Sequence, residues 1–224
     1  MTAFPQRLVD GYRAFLSERL PVEQHRFREL AEHGQSPDIM VIGCCDSRVS
    51  PEVIFDARPG ELFVVRNVAN LVPPYAPDEG YHGVSAALEF AVAALKVRHI
   101  VVLGHARCGG VRAFAEEAAP LSPGDFIGKW MELMAPAVDK AGPRGDMAFA
   151  DYLVRLEQAS VAHSLDNLMT FPRLKKLIER GTVALHGAYF GVATGELSVR
   201  DPASGAFLPV ETPAHARVFD SPRF

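Results

Sequence analysis

Three short apolar runs rich in β-branched residues constrain the fold of this chain more than any other feature. They are IMVIG from Ile39, LFVVRN over 62–67 and HIVVLGH over 99–105. A continuous apolar run of this length is typical of a strand that is buried on both faces of a parallel sheet. Between the second and third runs, the segment 83–97 carries apolar residues at helical spacing. This alternation predicts an α/β fold, with a central, mostly parallel β-sheet flanked by helices.

The N-terminal segment is predicted to form a helical arm. Residues 6–34 are interpreted as two helices broken at Pro21, because the first half carries an apolar stripe at helical spacing and proline interrupts a helix. An arm of this kind packs either on its own core or on a partner subunit.

The C-terminal half completes the same architecture. Residues 124–180 carry mainly helical patterns, and TVALHGAYF over 182–190 is predicted to be a fourth strand. After the Thr194-Gly195 turn, ELSVRD is predicted to form an antiparallel hairpin at the edge of the sheet. The segment after Pro202 is expected to be extended over the surface. Because 224 residues suit one domain, we predict a single domain, 1–224, made of a helical arm (1–34), a core (35–200) and a tail (201–224).

The charge balance argues against two classes of partner. The formal net charge is −4, from 23 basic and 27 acidic residues, so there is no excess of positive charge for binding nucleic acid or an anionic membrane. No apolar stretch is long enough to span a bilayer, and the N-terminus is a charged amphipathic pattern without the apolar core of a signal peptide. We therefore expect a cytoplasmic protein without nucleic-acid or membrane partners.

The chain has three cysteines, two of which are neighbours in the sequence GCCDSRVSP over 43–51. A small, odd number of cysteines fits a reducing compartment better than a disulfide framework. A bond between Cys44 and Cys45 would also close a strained ring that is far from ordinary disulfide geometry. The thiols are therefore predicted to be free, as a nucleophile or as metal ligands.

The cysteines lie in two loops that share one structural context. CCDSR follows the run that ends at Gly43, and HARCGG follows the run that ends at Gly104. In open parallel sheets, ligands bind beyond the carboxyl ends of the strands. If the two strands are neighbours, His105, Cys108 and one of the two adjacent cysteines converge there.

Two thiolates and one imidazole form a ligand set for zinc. Three protein ligands leave the fourth tetrahedral position for water or substrate, and these donors favour zinc over magnesium or calcium, which prefer oxygen. Gly109 and Gly110 would let the backbone approach closely where the metal and the following helix crowd it. The residues alone leave open which of the adjacent cysteines binds.

The paired motifs resemble those of a known family. Cys-x-Asp-Ser-Arg, followed about sixty residues later by His-x-x-Cys-Gly-Gly, is similar to the β-class carbonic anhydrases. The resemblance extends over FVVRNVANLVPPY, the GVSAALEFAV helix and LHGAYFGVATGEL, and it is closest to the plant-type branch, as found in bacteria. It implies reversible hydration of carbon dioxide to bicarbonate and a proton, with one Zn²⁺ per subunit.

The resemblance also implies the roles of the residues in the two loops. Cys44, His105 and Cys108 are the implied zinc ligands, and Cys45 is expected to be a bystander thiol packed behind the loop. Asp46 and Arg48 match the catalytic dyad of the family. The carboxylate would accept a hydrogen bond from the hydroxide that attacks carbon dioxide at zinc, and the guanidinium would keep it ionised and oriented.

The substrate pocket implied by the resemblance is narrow and apolar. Gln35 is its directing donor, Phe63, Val68 and Phe90 are its walls, and the Gly109 N–H orients bicarbonate. Some of these residues would come from the second subunit of a homodimer, which relatives often extend to a tetramer or larger oligomer. Other interpretations stay open, since GQSPD fits a solvated turn and packing alone explains the two phenylalanines. The helix carries Phe90 where the plant-type pattern has tyrosine.

Some bacterial relatives carry an allosteric bicarbonate site made of a tryptophan, an arginine and a tyrosine. The matching positions here are Val41, Arg66 and Phe190, so only the arginine is present. We therefore predict that Asp46 stays paired with Arg48 and off the metal.

Three alternative functions fit the same residues. The first is another zinc hydrolase on this scaffold, such as a carbon disulfide hydrolase. The second is an enzyme with a cysteine nucleophile, in which His105 activates Cys44 or Cys45. The third is a protein in which zinc is purely structural, a role that usually takes four protein ligands.

Overall fold

A six-stranded sheet forms the centre of the computed structural model, which describes residues 4–118, 121, 124 and 126–210. The strands lie in the order β2-β1-β3-β4-β5-β6, and the first four are parallel, whereas β5 and β6 are antiparallel to their neighbours. The predicted mostly parallel sheet with an antiparallel edge is confirmed. The strands are β1 Ile39–Cys44, β2 Leu62–Asn67, β3 His99–His105, β4 Ala184–Phe190, β5 Leu197–Arg200 and β6 Phe207–Pro209.

Nine α-helices flank the sheet in the described part of the chain. Two of them continue into π-helical turns, at Phe15–Arg19 and Ala91–Leu95, and short 3₁₀ turns lie at Val68–Asn70 and Glu132–Met134. No helix among the described residues is both long and apolar enough to cross a membrane. The helices are α1 Gln6–Ala14, α2 Leu20–His33, α3 Pro51–Ile54, α4 Gly83–Phe90, α5 Gly109–Ala115, α6 Phe126–Met131, α7 Ala135–Ala141, α8 Phe149–Leu168 and α9 Pro172–Glu179.

The predicted break of the arm at Pro21 is wrong. This proline lies in the first turn of α2, where its missing N–H is not needed for the helical ladder, so the helix passes through it. The irregularity lies earlier, in the π-helical turn Phe15–Arg19 that joins the two helices.

The neighbouring positions of β1 and β3 place the two cysteine loops at one edge of the sheet. Gly43 is paired with Leu103, and the two strands run parallel in register. Met40 and Ile42 of β1 are fully buried against one face, and Val41 is buried against the other. Burial on both faces explains why this strand has a continuously apolar sequence.

The two faces of the sheet are covered to different extents. One face packs on α4, α8 and α9, and its core includes the buried Leu88, Leu168 and Leu174. On the opposite face, the cluster has three buried residues among those that the structure describes, and the apolar side chains around them are partly exposed. This half-covered face is formed by Ile39, Leu62, Val64, Val101, Phe190 and Leu197 around Val41, Leu103 and Ala188.

The C-terminal prediction is correct for the hairpin and partly wrong for the tail. β5 pairs antiparallel with β4 as expected. The segment after Pro202 does not simply extend over the surface, because β6 adds to β5 and the ring of Phe207 packs edge-on against Tyr189, with centroids 6.1 Å apart. The rest of the predicted tail, 211–224, lies outside the described residues.

Candidate metal centre

Three ligand side chains meet beyond the carboxyl ends of β1 and β3. Cys44 is the last residue of β1, His105 is the last residue of β3, and Cys108 immediately precedes α5. One atom from each, two sulfurs and a ring nitrogen, lie within 4.8 Å of one another, and all three residues are buried. The predicted convergence of the two loops is confirmed.

A tight turn and one hydrogen bond arrange Cys108 and His105 for a shared ligand. The turn after β3 is tight, with Arg107 at a φ of 59°, so it brings Cys108 back toward the histidine. His105 Nδ1 lies 3.0 Å from the carbonyl oxygen of Ala106. A carbonyl can only accept, so Nδ1 is the donor and Nε2 keeps a free lone pair. Nε2 is buried and has no hydrogen-bond partner within the described part of the chain, as expected of a metal ligand.

The two thiols of Cys44 and Cys108 form a hydrogen bond that favours ionisation of the first and opposes ionisation of the second. A hydrogen bond from Cys108 is the main cause that lowers the pKa of Cys44 to about 4. The same interaction, together with burial, raises the pKa of Cys108. A pair of buried sulfurs of which only one readily ionises is stabilised by a divalent cation, because the cation accepts both thiolates. The donor set therefore fits Zn²⁺, and three ligands leave one coordination position open.

Asp46 and Arg48 form a two-pronged ion pair beside the ligands. Arg48 Nε donates to Asp46 Oδ1 at 2.9 Å, Nη2 donates to Oδ2 at 2.6 Å, and the Arg48 backbone N–H donates to Oδ1 at 3.0 Å. These hydrogen bonds hold the pKa of Asp46 well below its usual range. Arg48 Nη2 also donates to the carbonyl of Arg107 at 3.1 Å, so it ties the two loops together. Asp46 Oδ2 lies 4.0 Å from His105 Nε2.

Arg66, which matches the arginine of the allosteric bicarbonate site in some relatives, has a structural role in this protein. From β2 it donates to the carbonyl of Cys44 at 2.8 Å and to the carbonyl of Asp46 at 2.6 Å. It therefore braces the backbone of the ligand loop from the neighbouring strand. Val41 is buried in β1, and Phe190 is partly buried at the end of β4.

Glu157 is a second residue that the motifs did not reveal. It lies on α8 and is only 2% exposed. Its Oε1 accepts a hydrogen bond from the backbone N–H of Cys108 at 2.8 Å, and its Oε2 accepts one from the hydroxyl of Tyr189 at 2.6 Å. Burial raises the pKa of this carboxyl group. The available sequence signal was an acidic residue on the buried side of a helix, which by itself suggests no ligand loop.

The structure contradicts the expectation that Cys45 is packed behind its loop. Its thiol is exposed. The Cys45 N–H donates to the carbonyl of Asn67 at 2.8 Å and so extends the ladder between β1 and β2 by one residue. Since side chains alternate along a strand, the inward orientation of Cys44 turns Cys45 outward.

The residues predicted to form the pocket lie in three places. Gly109 begins α5 directly after Cys108, and Val68 contacts the next residue of that helix, Gly110. The rings of Phe63 and Phe90 are neighbours, with centroids 5.9 Å apart, and Phe90 is 50% exposed. Gln35 is exposed in the loop between α2 and β1. The roles of these residues stay predictions.

A mostly parallel open sheet with a buried cysteine–histidine–cysteine group at its carboxyl edge defines an α/β metal-binding protein. Within that class, a family model described as carbonic anhydrase matches residues 39–197. A carbonic anhydrase from Pseudomonas aeruginosa is 36% identical over 201 residues, which cover 90% of this chain and 90% of that protein. The chain therefore belongs to the carbonic anhydrase family.

Solved β-carbonic anhydrases share the fold. The β-carbonic anhydrase CcaA has a TM-score of 0.85 at 28% identity, over 93% of this chain and 92% of its own. The Coccomyxa β-carbonic anhydrase, solved in complex with acetazolamide, has a TM-score of 0.75 at 27% identity, with 100% of both chains covered. A tetrameric β-carbonic anhydrase from Sordaria macrospora has a TM-score of 0.75 at 27% identity, over 90% of this chain and 97% of its own. The predicted β class is confirmed, and the plant-type branch stays a prediction.

Proposed function

We propose that this protein catalyses the reversible hydration of carbon dioxide to bicarbonate and a proton, with one Zn²⁺ per subunit held by Cys44, His105 and Cys108. The observation that carries the proposal is the meeting of these three buried donors beside an ionised Asp46. When bound, zinc lowers the pKa of a coordinated water and supplies a hydroxide nucleophile near neutral pH. The relative from Pseudomonas aeruginosa is itself named a carbonic anhydrase.

Asp46 orients the nucleophile in this proposal. Its carboxylate would accept a hydrogen bond from the hydroxide that zinc supplies, which would direct an oxygen lone pair toward the carbon of the substrate. Arg48 keeps the carboxylate ionised and fixes its plane through a two-pronged contact. We propose that this pair persists in the working enzyme and that Asp46 stays off the metal at neutral pH. A crystal structure at pH 7–8 with Asp46 bound directly to the ion would contradict this.

The proposed pocket for carbon dioxide is apolar, because the substrate is small and carries no charge. Val68 lies beside the loop of Cys108, and we assign it, with Phe63 and Phe90, to the walls. The Gly109 N–H is assigned to bicarbonate, and Gln35 is assigned as the directing donor. The exposure of Phe90 and Gln35 in one subunit supports a pocket that a second subunit completes.

We propose a homodimer, with tetramers or larger assemblies built from it. Two apolar surfaces support this proposal: the half-covered face of the sheet, and the exposed side chains of Phe4, Leu8, Tyr12 and Leu16 in the arm. The relatives from Sordaria macrospora are described as tetrameric. The mass in solution, measured by light scattering, tests the proposal, and a monomer at micromolar concentration would overturn it.

Three free thiols support a reducing, cytoplasmic location.

A stopped-flow assay of carbon dioxide hydration on zinc-loaded protein tests the activity. We expect turnover in the natural protein and its loss, together with the zinc, in Cys44→Ser. Turnover of carbon disulfide but not carbon dioxide would instead support the related hydrolase. No hydration at any pH, with zinc firmly bound, would support a structural metal. Activity that survives chelation but not thiol alkylation would point to a cysteine nucleophile.

A further inference from the structure

The turn Val68–Asn70 has an unfavourable backbone next to the metal centre. Ala69 and Asn70 have φ angles of 65° and 49°, so two consecutive residues with a Cβ adopt the left-handed conformation. Such conformations persist only where surrounding contacts enforce them, and they cluster at functional sites. The contacts of this turn therefore indicate what it holds in place.

Two side chains hold this turn, one from helix α6 and one from the residue that precedes the turn. The indole N–H of Trp130, on α6, donates to the carbonyl of Val68 at 2.8 Å. The side-chain amide of Asn67 bonds to both the N–H and the carbonyl of Leu71, at 2.8 and 2.9 Å. Both ends of the turn are thus anchored, and the long-range anchor on Val68 is the Trp130 indole.

The side chain of Val68 fits against a glycine in the metal loop. A Cβ added at Gly110 would lie 2.9 Å from Val68 Cγ1, closer than carbon atoms approach in folded proteins. The next nearest atom, the Cβ of Ala69, would lie at 3.4 Å, which is ordinary contact. Gly110 is two residues after Cys108, so Val68 is in direct contact with the helix that begins at the metal ligands.

We propose that Trp130 and Gly110 are positioning residues that fix Val68 at the wall of the carbon dioxide pocket and so set the width of that pocket. The inference rests on the proposed function, in which Val68 contacts the substrate. Trp130 acts through the carbonyl of Val68. Gly110 acts because it has no side chain and so leaves room for the Cγ1 methyl group of Val68. Neither residue contacts the reacting atoms.

A double-mutant cycle tests the contact. Gly110→Ala should displace Val68, and we expect kcat/KM to fall about tenfold, because an ångström of misplacement near a reacting centre can cost about a hundredfold. The loss should lie mainly in KM, since an apolar wall binds the substrate without entering proton transfer. In a Val68→Ala background the same Gly110→Ala change should have almost no further effect, because the clashing methyl is absent.

Trp130→Phe tests the hydrogen bond to the turn. It keeps an aromatic ring on α6 and removes the N–H donor, so we expect the KM for carbon dioxide to rise with a smaller change in kcat. Trp130 is packed against buried side chains of its cluster, whereas Phe126 on the same helix is 95% exposed. Phe126→Leu is therefore the matched control, with unchanged KM and kcat.

The indole resonance provides a readout that is independent of activity. The chain has one tryptophan, so an amide correlation spectrum of ¹⁵N-labelled, zinc-loaded protein shows one indole signal. Gly110→Ala should shift that signal and speed the exchange of its proton with solvent. In the double variant the signal should return to the position seen with Val68→Ala alone.

An unmoved indole signal and an unchanged KM in Gly110→Ala would overturn the inference, as would an undiminished effect of Gly110→Ala in the Val68→Ala background. A normal KM in Trp130→Phe would remove the tryptophan from it. Absence of carbon dioxide hydration in the natural protein is a different result. It would reject the proposed function, while the indole signal would still decide whether Gly110 and Trp130 position Val68.

Discussion

The backbone N–H of Cys108 donates a hydrogen bond to the buried carboxylate of Glu157, 2.8 Å away. The second oxygen of that carboxylate accepts from Tyr189, so one side chain of α8 joins a candidate metal ligand to strand β4. A buried acceptor that satisfies two donors is costly to remove, because each buried donor is then left without a hydrogen-bond partner, from the protein or from water. The position of the ligand loop therefore depends on a helix that is remote in the sequence.

Glu157→Ala should destabilise the protein more than Glu157→Gln does. Alanine leaves the Cys108 N–H and the Tyr189 hydroxyl unsatisfied, at about 1–3 kcal/mol for each group. Glutamine keeps an oxygen for the Cys108 N–H, and its amide can donate to the tyrosine oxygen. Urea unfolding at fixed protein concentration measures both, and zinc content shows whether the loop still binds. Equal stability of the two variants would contradict this account.

Removal of a ligand should remove the metal, whereas removal of the adjacent thiol should not. We expect Cys44→Ser, His105→Ala and Cys108→Ser to lose zinc, and Cys45→Ser to retain it, because the Cys45 side chain faces outward. A metal that binds only the folded state adds about 4 kcal/mol at a thousandfold excess over Kd, so the ligand variants should also unfold at lower temperature. Elemental analysis and calorimetry check both statements. Loss of zinc from Cys45→Ser would reject the assignment of Cys44.

Asp46→Asn should reduce carbon dioxide hydration while zinc remains bound. The amide lacks the charge that Arg48 holds in place and is a weaker acceptor for the hydrogen bond from the hydroxide, and misplacement of a reacting group can cost about a hundredfold. We expect a fall in kcat/KM of about that size in the stopped-flow assay. Glu52→Gln is the control, since the carboxylate of Glu52 accepts a hydrogen bond from Ser50, which is outside the dyad. Full activity in Asp46→Asn would contradict the proposed dyad.

His186 should make the protein less stable in mild acid. Its ring lies 3.1 Å from that of His99, and burial, followed by the charge of His99, lowers its pKa below 6.5. Below about pH 6.5 the unfolded chain then binds more protons than the folded one, so the free energy of unfolding falls as pH decreases, by at most about 1.4 kcal/mol per pH unit for one proton. Between about pH 7.5 and about pH 5.5, on either side of the ordinary pKa of histidine, the free energy of unfolding should fall less steeply in His186→Gln than in the natural protein. Identical slopes would exclude this residue as the cause.

The strands and the ligand motif could be predicted from sequence, because each depends on local physics. β2 and β3 match the predicted runs 62–67 and 99–105. Burial explains the apolar sequence of β3, which lies inside the sheet, whereas β2 lies at its edge and is only half-buried. The ligands follow two such strands directly, and their chemistry is carried by residue type. The prediction at Pro21 is wrong because a proline in the first turn of a helix looks the same in sequence as one that ends a helix.

By itself the sequence indicated strands β1 to β5 and the family, and the family resemblance in turn indicated the candidate donors Cys44, His105 and Cys108. Only the tertiary structure decided which residues support those donors: Glu157 from α8, Arg66 from β2, and Trp130 against the turn of Val68. The physical reason is the range of the interactions. Strand burial and motif spacing act within a few residues of the chain, whereas these hydrogen bonds join residues that are neighbours only after the sheet and helices have packed.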